Sequence, residues 1–231
     1  MTYEYTDKIY KEYALLIVRT FNSLNRELQG LGFDELNASK GYKVVSEKVK
    51  KVYKKCYDEL IDVLILLALH YFEDACENVV SRKGDKITYF VGKKDGFRKE
   101  KTFDARKFVE NYLKKDNRIV KYIFNTEYDR KMQRAIESIV MSENKTEMKK
   151  EIDKAMKYWN RQAKQGGDNV TSEAYIDGLK SMGIKYVKWV TREDEKVCSA
   201  CAEKDGKIYE IDKIIIPLHY NCRCDLVPYV K

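Results

Sequence analysis

A cluster of cysteines and one histidine near the C-terminus constrains this chain more than any other feature. Four of the six cysteines and one of the two histidines lie close together, as a C-x2-C pair followed after a spacer by H-x2-C-x-C. They are Cys198, Cys201, His219, Cys222 and Cys224. Thiolate sulfur and imidazole nitrogen are preferred ligands of zinc, which binds four of them in a tetrahedron. The spacing therefore predicts a zinc site that joins two segments.

The cluster offers five candidate ligands for four places. Cys198 and Cys201 can reach one ion from a single tight turn. His219 and Cys222 have the same spacing and are the favoured second pair, while Cys224 can replace either of them, and the spacing leaves this open. A closed structural site is favoured over a disulfide pair or a catalytic metal centre. Two ligand pairs occupy all four coordination positions of the zinc, and no second histidine is nearby in the sequence.

The rest of the sequence favours a reducing compartment. The N-terminus lacks a basic start followed by an apolar run, so no signal peptide is predicted. The most apolar stretch, residues 63–72, is too short to cross a bilayer. We therefore expect a protein made in the cytosol, where thiolate–metal bonds are favoured over disulfides.

The net charge of +8 lies in one segment. Residues 81–121 hold 14 Lys or Arg against 6 Asp or Glu, whereas basic and acidic side chains are equal in number over the rest of the chain. Such a patch attracts polyanions such as DNA, although an ordinary solvated surface has the same composition. The candidate phosphate contacts are Lys93, Lys94, Arg98 and Lys99.

Helical periodicity dominates the chain from the N-terminus to Gly183. Apolar residues recur at steps of three and four from Tyr10 to Leu28, and again in a helix from about Tyr42 to Val80 that would be about 55–60 Å long. Cys56, Cys76 and His70 lie on or near the apolar face of this second helix, where we expect core packing. Further helices are predicted at 104–114, 118–141 and 147–165, and, after a loop at 165–169, from a cap at Thr171 or Ser172 to Gly183.

Strand signals interrupt and follow these helices. Residues 87–91 and a turn at 94–96 predict a hairpin, and 184–190 and 206–211 predict two further strands. The last forty-odd residues are too few to fold firmly alone, and a bound zinc would supply the missing stability. We expect a mainly α protein with a small C-terminal β unit (α+β), in which long antiparallel helices accompany a zinc-fastened β-hairpin. The expected regions are an N-terminal long-helix region (1–80), a basic hairpin and helical region (81–183) and the C-terminal metal unit (184–231).

The C-terminal motif extends beyond the metal ligands. In order, it contains a tryptophan, an aspartate, C-x2-C, D-G and P-x-H-x-N-C-R-C. Over residues 189–228 this pattern resembles the phage head-morphogenesis family, the minor head proteins of tailed phages typified by phage Mu protein F. The motif positions besides the five ligands are Trp189, Asp194, Asp205, Gly206, Asn221 and Arg223.

The resemblance implies a non-catalytic structural protein of the virion interior, made in the bacterial host cytoplasm. It would act at the portal vertex in head assembly, DNA packaging or DNA delivery. Its partners would be the portal and other head proteins, with packaged double-stranded DNA as a non-specific further partner and no membrane. Since the chain ends at Lys231, soon after the motif, we expect no appended enzyme.

Two roles within the motif are predicted from chemistry. Arg223 lies between two cysteines, where it can offset thiolate charge or donate hydrogen bonds to sulfur or backbone. Asp194 is predicted to tie the strand of Trp189 to the zinc loops.

Two other functions remain as alternatives. A metal-dependent nuclease would need a histidine base and a further group for a catalytic cation, and the only other histidine, His70, lies in an apolar helix. A zinc-containing DNA-binding protein would bind DNA in a salt-dependent, sequence-selective way, but no recognition-helix signature is present.

Overall fold

The computed structural model describes residues 3–31, 39–76, 79–92, 98–114, 127–192, 194–219 and 222–230. The helices in these ranges are α1 (Tyr3–Gln29), α2 (Ser39–Ala75), α3 (Ala105–Lys114), α4 (Glu127–Val140), α5 (Lys145–Ser181) and α6 (Ser199–Ala202). The strands are β1 (Val79–Lys83), β2 (Lys86–Gly92), β3 (Arg98–Asp104), β4 (Tyr186–Val190), β5 (Ile208–Glu210) and β6 (Asp225–Tyr229). The prediction of a mainly helical protein with small β units is confirmed.

Across the same ranges, no helix has both the length and the apolar character needed to span a membrane. The described chain forms two compact units: a sheet unit of residues 64–110 and 167–231, and a helical unit of residues 2–63 and 111–166. The three-part division expected from the sequence (1–80, 81–183 and 184–231) is a different partition and stays a prediction.

The helical unit is organised around the ring of Tyr53. Its neighbours Phe21, Tyr128 and Trp159 meet it edge-on, with ring centroids 6.4, 6.0 and 5.5 Å away. Edge-to-face contacts of this kind are favourable because the positive edge of one ring meets the negative face of another. Side chains from α1, α2, α4 and α5 thus form one aromatic core.

Helices α1 and α2 run antiparallel in this unit, as predicted. Near one end the Tyr13 hydroxyl donates a hydrogen bond to the Cys56 carbonyl at 2.9 Å, and near the other Lys48 pairs with Glu27 at 2.6 Å. The Cys56 side chain is fully buried, and burial raises the pKa of its thiol to about 12. Cys56 therefore packs as a small apolar residue, as its position on the apolar face predicted.

The prediction of a loop around Gly166 and Gly167 is wrong, because α5 continues through both glycines without a break. Both are buried, and Val170 and Ala174 beyond them are fully buried. An interior glycine costs a helix about 1 kcal/mol relative to alanine. Packing of this face against the core overrides that local cost, which the sequence pattern alone does not reveal.

Thr171 and Ser172 do not cap a new helix. Their hydroxyls donate hydrogen bonds back to the Asp168 carbonyl at 3.0 and 2.9 Å, from inside α5. Side-chain bonding to a carbonyl three or four residues earlier is the usual arrangement for these residues within a helix. The cap lies upstream instead, where the Asn144 side chain accepts from the Glu147 amide at 2.9 Å.

The first sheet of the sheet unit has the order β1-β2-β3 and is antiparallel. β2 and β3 confirm the predicted hairpin strands, while the predicted turn at 94–96 lies outside the described residues. Phe103, opposite Ile87 in the register, stacks on Phe72 of α2 with centroids 3.8 Å apart. The predicted helix to Val80 is too long: α2 ends at Ala75, and β1 follows with β-branched valines.

The second sheet has the order β5-β4-β6, with β4 paired antiparallel to both neighbours. The predicted C-terminal hairpin is therefore corrected to a three-stranded sheet. β6 was missed because it contains Pro228, which argues against a strand in a sequence pattern. In the structure Pro228 faces Val187 from the edge strand, where a missing N–H is tolerated.

This second sheet packs on the ends of two long helices. Its buried residues share one cluster with Ala75 of α2 and Leu179 of α5; they are Val187, Trp189, Cys201, Ile211 and Leu226. The two helices approach closely at Gly178, where an added Cβ would lie 2.5 Å from the Ala75 Cβ and 3.0 Å from the Phe72 carbonyl oxygen. Cys76 is buried beside this contact, and its thiol lies 3.9 Å from the Gly178 carbonyl oxygen.

We predict that Gly178→Ala destabilises the sheet unit. Alanine favours the helix by about 1 kcal/mol, but overpacking costs about 1–3 kcal/mol. Because the added Cβ meets backbone as well as side chain, we expect a net loss of up to about 2 kcal/mol. Urea unfolding measures it. Gly30→Ala is the control, because among the described residues its Cβ would meet the carbonyl oxygens of Arg26 and Glu27, one turn earlier, at ordinary contact distances of 3.5 and 3.6 Å. Equal midpoints for the two variants would contradict the close approach.

Candidate metal centre

The first pair of candidate ligands lies on one short helical turn. Cys198 is the N-cap residue of α6, and its carbonyl accepts from the amides of Cys201 and Ala202 at 3.1 and 2.9 Å. Residues three apart on a helix lie on one face, so both thiols point the same way. Cys201 is only 2% exposed, whereas Cys198 is half-buried.

The second group of candidate ligands lies before β6. The Cys222 amide donates a hydrogen bond to the His219 carbonyl at 3.2 Å, so these two candidates lie close together. His219 Nε2 lies 3.1 Å from both Cys198 Sγ and Cys201 Sγ, and Cys201 Sγ lies 3.8 Å from Cys222 Sγ. The structure therefore brings together the two segments that the spacing paired.

The five candidate ligand atoms form two overlapping groups that share Cys201. One group is Cys198, Cys201 and His219, and the other is Cys201, Cys222 and Cys224; within each, the ligand atoms lie within 4.8 Å of one another. Tetrahedral zinc with bonds of about 2.3 Å to sulfur requires sulfurs about 3.8 Å apart. The Cys201–Cys222 separation has this value, and either group could hold a metal ion.

The cluster is chemically suited to a divalent cation. The Cys201 amide, followed by its thiol and His219, holds the pKa of Cys198 below its usual value. Burial, followed by the crowding of neighbouring thiols, raises the pKa of Cys201. Such crowded sulfurs resist ionising together unless a cation neutralises them, and a bound metal deprotonates its thiols outright.

All six cysteines are free thiols in the structure. The 3.8 Å between Cys201 and Cys222 sulfurs is far longer than a disulfide bond of about 2.05 Å. The site is thus a set of thiols and an imidazole in two groups, with Cys201 common to both. Which four of the five would bind zinc stays a prediction.

An ion pair links the two segments beside the thiols. Arg223 donates two parallel hydrogen bonds to Asp194, at 2.6 and 2.5 Å, and Asp194 also accepts from the Lys196 amide at 3.0 Å. Arg223 lies between Cys222 and Cys224, and Asp194 follows β4. The sequence predicted that Asp194 ties its strand to the cysteine segments, and Arg223 is the partner through which the structure makes that connection.

The Asp205–Gly206 turn fastens α6 to β4. Asp205 Oδ1 accepts from the Thr191 amide at 2.7 Å, and the Gly206 amide donates to the Trp189 carbonyl at 2.9 Å. Gly206 has φ +72, a conformation that favours glycine. The motif positions Asp205 and Gly206 thus hold the end of α6 against the central strand.

Trp189 lies at the centre of this unit and is fully buried. The Lys204 ammonium lies over its ring at 5.8 Å and over the Tyr209 ring at 4.9 Å. The sequence reasoning missed Lys204, and it also missed Ala75 and Leu179 as supports of the site, because no local pattern shows which distant helices cover a small sheet.

The remaining predicted positions lie apart from this centre or outside the described residues. Lys93, Lys94 and Asn221 lie outside them; Arg98 begins β3, and Lys99 on the same strand is exposed. Three other basic residues of the 81–121 segment form ion pairs: Arg82 with Glu73 at 3.3 Å, Lys86 with Asp104 at 3.4 Å and Arg106 with Asp85 at 2.9 Å. Nucleic-acid binding by this segment stays a prediction.

We predict that Asp194→Asn lowers the melting temperature in a pH-dependent way. Arg223, followed by the Lys196 amide, lowers the pKa of Asp194, so the pair stabilises the fold above the ordinary aspartate pKa of about 3.9 and loses this effect as pH falls through the lower folded value. The gap in melting temperature between wild type and Asp194→Asn should be full above the ordinary aspartate pKa of about 3.9 and should narrow as the pH falls below it. Glu195→Gln, which removes a neighbouring exposed charge, is the control. A gap that does not change with pH would contradict the ion pair.

Comparisons with known proteins add one finding. Neither the curated proteins nor the solved structures contain a match to this chain. A family model does match, over a range that includes most of α4, all of α5, the metal-ligand cluster and the first part of β6. Residues 129–227 match the family described as phage Mu protein F like protein, which confirms the resemblance indicated by the tryptophan, cysteine and histidine motif.

Proposed function

We propose that this chain is a structural minor head protein of a tailed phage or prophage, located in the virion at the portal vertex. Its part there is in head assembly, DNA packaging or DNA delivery, together with the portal and other head proteins. The observation that carries the proposal is that the family match spans the cysteine–histidine cluster, strands β4 and β5, and the end of α5 that packs against them.

Zinc is the proposed structural ion of this centre. Four sulfurs and one imidazole nitrogen form a donor set that suits zinc, and carboxylate oxygens, which magnesium and calcium prefer, are not among the ligand atoms of either group. The ion would be held by residues at the start of α6 and in the segment before β6, so that its bonds would join two stretches that are distant in the sequence. Metal binding of this kind contributes directly to folding free energy.

A non-catalytic role is part of the proposal. His219 is the histidine that a nuclease would need as a base. Its Nε2 atom lies 3.1 Å from the sulfur of Cys198 and 3.1 Å from the sulfur of Cys201. As a zinc ligand this nitrogen would have no lone pair left for proton transfer. Two pairs of cysteine or histidine ligands would also fill all four positions around the zinc, whereas a catalytic zinc keeps one position open.

The test is to look for the protein in heads of the phage that encodes it. Heads are purified from cells that carry wild type, Cys201→Ser or Cys76→Ala, and the chain is quantified by mass spectrometry relative to the major capsid protein. We expect few copies per head for wild type and Cys76→Ala, and loss of the Cys201→Ser protein, because Cys201 belongs to both ligand groups and Cys76 to neither.

Cys76 is a matched control because it too is a buried thiol of the sheet unit. Wild-type heads that lack the chain altogether would refute the head-protein assignment. Cys201→Ser heads with the full complement would leave the assignment intact and refute the structural role of the metal centre.

A further inference from the structure

The indole N–H of Trp189 is a buried donor beside the metal-ligand cluster that the fold leaves unsatisfied. Trp189 is 0% exposed, and in the described part of the chain its Nε1 atom has no hydrogen-bond partner. A buried N–H left without an acceptor is destabilising, because it loses its hydrogen bond to water and gains none in return. We therefore expect this N–H to have a hydrogen-bond acceptor when a metal ion is bound.

The sheet register indicates which acceptor this is. Trp189 on β4 lies directly opposite Leu226 on β6, and both side chains are buried in one cluster. Cys224 lies two residues before Leu226, so an extended backbone places its thiol on the same face, diagonal to Trp189. Cys224 also packs against this cluster.

The chemistry of Cys224 agrees with this register. Cys224 is a half-buried free thiol and belongs to the second ligand group. A neutral thiol is a weak acceptor, whereas the thiolate that a bound metal requires is a strong one.

We propose that Trp189 donates its indole N–H to the Cys224 thiolate and that Cys224 is one of the four metal ligands. The proposal rests on the zinc centre proposed above and adds to it. Hydrogen bonds from the surrounding protein orient metal ligands and tune their charge, and their removal typically weakens metal binding about 10–100-fold. Trp189 is therefore a positioning residue, which acts on the metal through the sulfur.

This assignment narrows the choice among the five candidate ligands. Cys201 belongs to both groups, and Cys224 now takes a second place in the set. The other two places are filled from Cys198, His219 and Cys222. The set that the spacing favoured, which leaves Cys224 out, would leave the indole N–H without a charged acceptor.

The experiment uses the full-length wild-type protein labelled with ¹⁵N-tryptophan and loaded with ¹¹³Cd²⁺, a spin-active substitute for zinc. We expect a scalar coupling between ¹¹³Cd and the Trp189 indole proton, transmitted through the N–H···S–Cd linkage, and a downfield shift of that proton on loading. The Trp159 indole is the internal control, because its Nε1 is also buried without a partner but belongs to the helical unit. Trp159→Phe assigns the two signals.

A second measurement compares metal affinities by competition with a chelator. We expect Trp189→Phe to bind cadmium at least about 10-fold more weakly than wild type, with Trp159→Phe unchanged. A bound ¹¹³Cd signal with no coupling and no shift at the Trp189 indole would overturn the proposal while leaving the metal centre intact. A protein that binds no ¹¹³Cd at all would overturn both.

Discussion

The contact of Cys201 with thiols and an imidazole from a segment further along the chain is the interaction on which the C-terminal unit depends. Backbone pairing gives this unit only short strands in the described chain, and β5 is the shortest of them. The cysteine–histidine centre brings ligand atoms of α6, before β5, close to those of residues that lead into β6. In the proposed zinc centre, bonds to one ion would join these two segments.

The centre in turn depends on a scaffold supplied by distant parts of the chain. Trp189 and Leu226 form the inner face of the sheet, and Ala75 and Leu179 from the ends of two long helices cover it. Gly178 allows the close approach that brings those helix ends together. The small sheet that carries the cysteine–histidine centre thus packs on these helix ends through its own buried core.

Much of this organisation could be predicted from local sequence patterns. The C-x2-C turn, the Asp205–Gly206 turn and the strands around Trp189 follow from short-range rules, and they lie where those rules place them. Long-range packing explains the failures. Gly166 and Gly167 favour a loop in the sequence, but packing of a buried helix face keeps them helical. Pro228 argues against a strand in the sequence, but it is tolerated because β6 lies at the edge of its sheet. The fold class was predictable, whereas the third strand and the helix ends that support the site were not.

The most direct test of the account is X-ray absorption spectroscopy at the zinc edge of the purified full-length protein. Sulfur and imidazole ligands from the two segments predict a first shell dominated by sulfur at about 2.3 Å, with any nitrogen at about 2.0–2.1 Å, and a stoichiometry of one zinc per chain. A protein that carries no zinc, or whose zinc is surrounded only by oxygen and nitrogen, would contradict it.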